Sequence, residues 1–197
     1  MSSAWSAPHP ALRAIGLPFV LWAVFGLAAC ATTTMKPSDF RAALPVLDPM
    51  EFFNGRTSSS GVFETRSGAP SRPVTTETCG RREGDALQMA QDLKYGDGKG
   101  QHRSWQIRRL DAHHYEGRAN DIVGVIRGEA YGNLFHWSFT LAVSPGNRFK
   151  NVRMSQWMYL QPDGRTLINH TTIRKLGFLV AQVTEQFGRT DTALSCP

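Results

Sequence analysis

The histidines are the first residues to consider for chemistry in this sequence, because histidine is a common metal ligand and proton carrier. His113 and His114 are adjacent, so on a strand they point to opposite faces and cannot bind one metal ion together. His102, His136 and His170 lie far apart, and no HxH or HxxxH spacing occurs. The spacing predicts no metal site, and we expect no cofactor: His136, beside an aromatic run, is interpreted as a wall histidine rather than a haem ligand.

No motif for a catalytic nucleophile or a phosphate loop is present. The sequence has no GxSxG, and TSSSG at 57–61 is typical of a turn or a strand start. GDGKG at 96–100 lacks both the spacing of a phosphate-binding loop and the helix that should follow it. These features favour a non-enzymatic protein but leave an enzyme open.

A few polar residues remain as candidates for ligand contacts. Asp121 follows Asn120 in EGRAND at 116–121, where an aspartate usually bonds nearby backbone N–H groups in a turn. Its alternative role is that of a general base or ligand contact, in a polar cluster with Asn169 and Lys175. Arg103 or Lys175 could pair with the carboxylate head of a ligand.

An alternating aromatic segment supplies the candidate apolar wall. In LFHWSFTLAV, one face carries Phe135, Trp137 and Phe139, and the other carries His136, Ser138 and Thr140. A two-residue period of this length predicts a strand. If the aromatic face points inward, these rings and Trp105 would contact an apolar ligand, whereas the opposite assignment would place them outside.

Turn residues recur along most of the chain and divide it into short strands. The breaks fall near residues 68–70, 80–84, 96–100, 116–121, 132–133, 144–147 and 162–165. We expect an all-β protein: an antiparallel, up-and-down β-barrel of eight to ten strands over residues 51–190. A sandwich is the alternative, but short sequential hairpins favour the barrel, whose closure removes exposed strand edges.

The segment LWAVFGLAAC at 21–30 predicts where the protein works. Residues 14–35 carry no charge, but Pro18 interrupts them and small residues crowd their end, as in a cleaved signal. Leu27-Ala28-Ala29-Cys30 resembles the bacterial lipobox, whose cysteine receives acyl chains such as palmitate. We therefore expect a signal peptide at 1–29, a lipidated Cys30 and a tether at 30–50; an uncleaved membrane anchor is the alternative.

The expected location follows from the lipobox. Ala31, rather than aspartate, follows the cysteine, which favours the periplasmic face of the outer membrane in the bacterial cell envelope. That compartment is oxidising, so Cys79 and Cys196 are candidates for one disulfide, with two unpaired thiols as the alternative. The formal net charge of +6 comes from scattered basic residues without an RNA-binding signature, so no nucleic-acid partner is expected.

Four motifs are recognisable as a series: FFNGRTSSSGVF, YGDGKGQHRSWQI, YEGRANDIVGVIRGEAYGNLFHW and QWMYLQPDGRTLINHTTIRKLGF. In their order and spacing they resemble the DUF3833 family of bacterial lipoproteins, from about Phe52 to Phe187. The resemblance implies a lipocalin-type barrel without an established activity. It also leads us to expect acidic residues at positions 91 and 156 and an arginine at 170, where this chain has Gln91, Gln156 and His170.

These observations predict a lipid-anchored periplasmic protein whose barrel binds a hydrophobic small molecule, such as a lipid or fatty-acid derivative. Two alternatives stay open: an enzyme on the same barrel acting on a lipid, and a structural envelope lipoprotein with a filled barrel. A cavity lined by aromatic and converging polar groups would favour the enzyme, and a filled core would favour the structural protein.

Overall fold

Ten strands and three short helical segments make up the fold in the computed structural model, which describes residues 34–144, 146–190 and 196. A 3₁₀ turn (Pro37–Phe40) and helix α1 (Pro49–Phe52) precede the sheet, and a second 3₁₀ turn spans Arg148–Lys150. The strands are β1 (Gly55–Thr65), β2 (Pro70–Glu83), β3 (Ala86–Tyr95), β4 (Gly100–Arg109), β5 (His114–Ala119), β6 (Ile126–Tyr131), β7 (Leu134–Leu141), β8 (Val152–Leu160), β9 (Thr166–Lys175) and β10 (Phe178–Arg189).

The strands form one closed antiparallel barrel. Each strand pairs with its neighbours in sequence, and β1 pairs with β10 to close the ring. This up-and-down order confirms the all-β barrel and the upper limit of the predicted strand number. Because every described strand has two partners, none of these strands leaves an open edge.

The predicted faces of β7 are correct, and the aromatic row points inward. Phe135, Trp137 and Phe139 are buried, while His136 faces outward and its ring packs on Trp157. The barrel interior is thus built from alternate residues, as the two-residue period requires.

Two predicted turns need correction. β2 continues through Gly80 to Glu83, and β5 continues through EGRA to Ala119, so both strands are longer than the glycines suggested. The tight turn at Leu176 and Gly177 carries no asparagine or aspartate, and the sequence pattern did not mark it.

One end of the barrel is closed by the N-terminal segment. Asp48 caps α1 by accepting a hydrogen bond from the Met50 backbone N–H at 2.9 Å, and Leu47 donates its N–H to the Gly132 carbonyl at 2.7 Å. Leu47, Met50, Phe52 and Phe53 are all buried. Residues 37–50, assigned by sequence to a tether, therefore include a packed plug, because their apolar side chains cover the end of the lumen.

A disulfide joins Cys79 on β2 to Cys196, with the two Cα atoms 5.6 Å apart. It connects the C-terminal residues to the wall of the barrel. Cys30 and the predicted signal segment lie outside the described residues. Within the described ranges, none of the helices has the length and apolar character needed to cross a bilayer.

Candidate functional site

A large cavity occupies the barrel interior between the α1 plug and the opposite end. Its volume is about 890 Å³, within the range of roughly 300–1,000 Å³ that is usual for ligand sites. Met50 and Phe53 form the closed end, and the hairpins β1–β2, β3–β4, β5–β6, β7–β8 and β9–β10 surround the opposite end, which we call the mouth. The barrel is therefore hollow rather than filled.

Two tryptophans from distant strands meet in the lumen. Trp105 on β4 and Trp137 on β7 stack with ring centroids 4.9 Å apart and planes inclined by 14°. Each indole N–H has an acceptor: Trp105 donates to Gln91 Oε1 at 3.2 Å, and Trp137 donates to Gln156 Oε1. These two glutamines, where the resemblance suggested acids, thus satisfy the polar N–H groups of the stacked tryptophans.

The first polar group in the lumen is an ion pair on the mouth side of the tryptophans. Arg103 Nε lies 2.8 Å from both carboxylate oxygens of Asp121, and Nη2 lies 2.8 Å from Oδ2. Gln101 donates to the same carboxylate and accepts from the Tyr95 hydroxyl at 3.0 Å. Burial raises the pKa of Tyr95, so its hydroxyl stays a donor at neutral pH.

The ion pair with Asp121 limits the further contacts that Arg103 can make. Arg103 is only 5% exposed, and Nη1 makes no hydrogen bond to any described residue. Its charge is already matched by Asp121, so the expected pairing with a ligand carboxylate needs revision. The Nη1 amino group remains to donate to a neutral ligand oxygen.

The second polar group surrounds Glu185 on β10, which is 8% exposed and lines the cavity. Its Oε1 accepts from Ser59 at 3.0 Å and Thr76 at 3.2 Å, and its Oε2 accepts from Asn169 Nδ2 at 3.1 Å. Burial raises the pKa of the Glu185 carboxyl, against the opposing effect of these hydrogen bonds and of Arg103. Burial therefore makes ionisation of this carboxyl group less favourable than it is in water.

The structure brings most of the predicted ligand residues together. Cavity-lining residues among them are Arg103, Trp105, Asp121, Phe135 and Trp137. Phe139 lies behind the stacked tryptophans, with its ring edge-on to both, and Asn169 is fully buried behind Glu185.

Lys175 is the misplaced member of the predicted set. It is exposed at the end of β9, beside the hairpin that leads to β10, and it does not line the cavity. The predicted cluster of Asp121, Asn169 and Lys175 therefore does not form. Asp121 lies in a turn as expected, but its carboxylate faces the lumen and bonds the side chains of Arg103 and Gln101.

Sequence reasoning missed Glu185, although a signal was available. Val183, Glu185 and Phe187 alternate along β10, and the two flanking residues are buried apolar side chains. An acid between inward-facing residues at i−2 and i+2 must itself face inward. Within the described residues, no group of three histidine, cysteine, aspartate or glutamate side chains is arranged to hold a metal ion.

A family model described as a protein of unknown function, DUF3833, matches residues 24–189. The chain belongs to the DUF3833 family. No relative was found among curated proteins.

The DUF3833 barrel is also similar to a solved structure of an S-type phycobiliprotein lyase from Guillardia theta. The TM-score is 0.55 at 7% sequence identity, and the match covers 73% of this chain and 91% of the lyase chain. At that identity the likeness concerns the fold, a barrel of the lipocalin type.

Proposed function

We propose that this DUF3833 barrel binds an elongated apolar small molecule that carries a neutral hydrogen-bonding group, such as an esterified or protonated fatty acid. The observation that carries the proposal is the cavity of about 890 Å³, which combines a wall of aromatic and aliphatic side chains with two separate polar groups. Apolar pockets with a few placed polar groups are the usual form of small-molecule sites. The likeness to a phycobiliprotein lyase supports a small-molecule ligand on this fold.

The charges in the lumen favour a neutral head group. Arg103 and Asp121 cancel each other, and the raised pKa of Glu185 marks an environment that penalises a further negative charge. A free carboxylate placed beside Arg103 would meet a cation whose charge Asp121 already matches. An ester or a protonated acid could accept a hydrogen bond from Arg103 Nη1 without bringing a negative charge into the lumen.

The lipid anchor belongs to the same proposal. A lipidated Cys30 would hold the barrel at the periplasmic face of the outer membrane, and the lipobox-like residues 27–30 support this assignment. Two or more acyl chains suffice for stable anchoring without a membrane-spanning helix. Replacing Cys30 by alanine should leave an uncleaved precursor that no longer takes up radiolabelled palmitate in cells; normal labelling of that variant would refute the assignment.

Acid–base catalysis on the bound lipid is a second candidate function, favoured by one observation. Glu185 is a buried carboxyl that lines the cavity with a raised pKa, which is a common property of general acids. Replacing Glu185 by glutamine separates the two functions. A binding protein would retain its ligand in this variant, whereas an enzyme would retain the ligand and lose turnover. The cavity itself counts against a structural protein with a filled barrel.

The test of the binding function compares an inward and an outward substitution on β10. Val183 is buried and lines the cavity, whereas Val180 on the same strand is exposed. Val183→Phe should weaken the uptake of a fluorescent fatty-acid methyl ester at least tenfold by filling the lumen, and Val180→Phe should leave uptake unchanged. The methyl ester should also bind more tightly than the free acid at neutral pH.

Mass spectrometry of the purified native protein provides the direct control. We expect an apolar molecule to be released in near-equimolar amount. The proposal fails if nothing is released and the wild-type protein takes up neither probe.

A further inference from the structure

The mouth of the barrel carries large apolar side chains that point into solvent. On the β9–β10 hairpin, Leu176 is 89% and Phe178 is 77% exposed, and on the β7–β8 loop Phe149 is 80% exposed. Four further valines are exposed at the same end of the barrel: Val123, Val125, Val143 and Val180. Exposed apolar groups clustered in this way usually mark an interaction surface.

Basic residues flank these apolar tips. Residues 141–153 and 171–183 contain no aspartate or glutamate, and they carry Arg148, Lys150, Arg153, Arg174 and Lys175, all exposed. The two loops lie side by side, because β8 and β9 pair with Arg153 opposite Arg174. None of the five cations forms an ion pair with another described residue.

The backbone at Leu176 is a separate observation. Leu176 has φ = +50° and Gly177 has φ = +86°, so the two residues form the kind of two-residue hairpin turn that favours Asn-Gly. A leucine in this left-handed conformation is disfavoured relative to asparagine or glycine. The exposed leucine therefore weakens the turn and makes no contact within the barrel that would compensate for it.

The closed end of the barrel lacks this combination. Leu44 and Val46 are exposed there, but Asp48 and Glu51 lie close to them in the chain and form ion pairs with Arg82. Charges of both signs thus mix at the closed end, whereas the two mouth loops are uniformly positive.

We propose that the mouth rim, defined here as Phe149, Leu176 and Phe178 with their five flanking cations, docks on the surface of an anionic lipid bilayer. The tips enter the boundary between head groups and acyl chains, and the cations contact phosphate groups. Docking points the lumen at the bilayer, so that an apolar molecule can pass between them. This interaction is distinct from the Cys30 anchor, and it does not depend on which molecule occupies the cavity.

The test measures whether single residues enter the bilayer rather than how much protein binds. Total binding is uninformative, because the apolar segment at residues 1–29 could itself attach the chain to vesicles. In a full-length Cys30→Ser background the disulfide occupies Cys79 and Cys196, so one introduced cysteine can be labelled with an environment-sensitive fluorophore. Labels are placed at Phe149 and Leu176, and at Glu77 as the control, which is exposed on the outer wall of β2. Vesicles are phosphatidylcholine alone or with an equal part of phosphatidylglycerol.

We expect both rim labels to shift to the blue and to be quenched by lipid-borne nitroxide on the mixed vesicles, with little response to phosphatidylcholine alone. High salt and the double variant Arg148→Glu/Lys150→Glu should reduce the response several-fold. Leu176→Asn, labelled at Phe149, should melt at a higher temperature because its turn is favourable, and should dock more weakly.

Three outcomes would overturn the proposal. The first is an equal response of the Glu77 label, which would mean that the barrel wall lies on the bilayer. The second is association of the protein with mixed vesicles while both rim labels stay in water. The third is concentration-dependent burial of the rim labels without vesicles, which would make the rim a contact between copies of the chain.

Discussion

Trp105 and Trp137 stack on each other although β5 and β6 lie between their strands in the barrel wall. The contact is possible because the intervening strands carry inward-facing glycines, Gly117 and Gly128, where larger side chains would occupy the lumen. The stack therefore depends on small residues in two strands as much as on the rings themselves. Its indole N–H groups are held by Gln91 and Gln156, which fix how the rings stand against the cavity.

The hydrogen bond between Trp137 and Gln156 should contribute measurably to stability. We expect Trp137→Phe and Gln156→Met each to lower the free energy of unfolding by about 1–3 kcal/mol. Each substitution removes one partner of the hydrogen bond and leaves the buried polar group of the other residue without it. The double variant should lose less than the sum of the two, with a coupling energy of about 1 kcal/mol in urea denaturation. The pair Trp137→Phe and Gln91→Met is the control and should couple less; strict additivity for Trp137 and Gln156 would contradict the assigned bond.

The glycine at position 128 should not tolerate a side chain. A Cβ there would lie 2.8 Å from two atoms of the Phe135 ring and 3.3 Å from the Trp137 side chain. We expect Gly128→Ala to lower the free energy of unfolding by about 1–3 kcal/mol through overpacking. Gly117→Ala is the matched control, because its Cβ would meet Trp137 at an ordinary 3.5 Å. Equal effects of the two substitutions in thermal unfolding would show that the lumen adapts to Gly128→Ala.

Alternation predicted the strands and the two faces of β7, whereas the short hairpins favoured the barrel. In β7 the two-residue period separates Phe135, Trp137 and Phe139 from His136, and the structure shows that the first three form the buried face. The strand number and the meander order follow from frequent turn residues. Both signals are local, because the residues that carry them are close in sequence, and a single sequence therefore reveals them.

The contacts that define the polar part of the site are not local. Ser59 and Glu185 are 126 residues apart, and they meet only because β1 pairs with β10 to close the barrel. The position of the plug residue Met50 could not be predicted either. The sequence around it does not distinguish a packed helix from the end of a tether. Lys175 was misassigned because a position near a strand end gives no sign of whether the side chain turns toward the lumen.

The disulfide should stabilise the barrel by restricting the unfolded chain. Cys79 and Cys196 are separated by 117 residues, and a loop of that length corresponds to about 4–5 kcal/mol on entropic grounds. Cys79→Ser/Cys196→Ser should therefore lower the urea midpoint clearly, and reduction of the wild-type protein should do the same. A thiol assay on unfolded, unreduced Cys30→Ser protein is the control, and two free thiols there would contradict the bond.

The stability of the barrel should depend on pH through Glu185. Burial raises the pKa of this carboxyl in the folded protein above its ordinary value of 4.5. Below pH 4.5 the group is protonated in both the folded and the unfolded states, so the folded protein bears no penalty. As the pH rises from the unfolded to the folded pKa, the unfolded chain releases its proton first, and the free energy of unfolding falls by about 1.4 kcal/mol per pH unit.

Replacing Glu185 by glutamine removes this titration while keeping a side chain that can bond Ser59, Thr76 and Asn169. We expect the stability difference between Glu185→Gln and the wild-type protein to move in favour of the variant as the pH rises above 4.5, and to level off once the folded carboxyl has ionised. Urea denaturation across this range measures the difference, and Glu77→Gln on the exposed wall controls for the loss of one charge. If the Glu185→Gln and wild-type curves stay parallel, the carboxyl is not held in a desolvated site, and the neutral character assigned to the lumen is wrong.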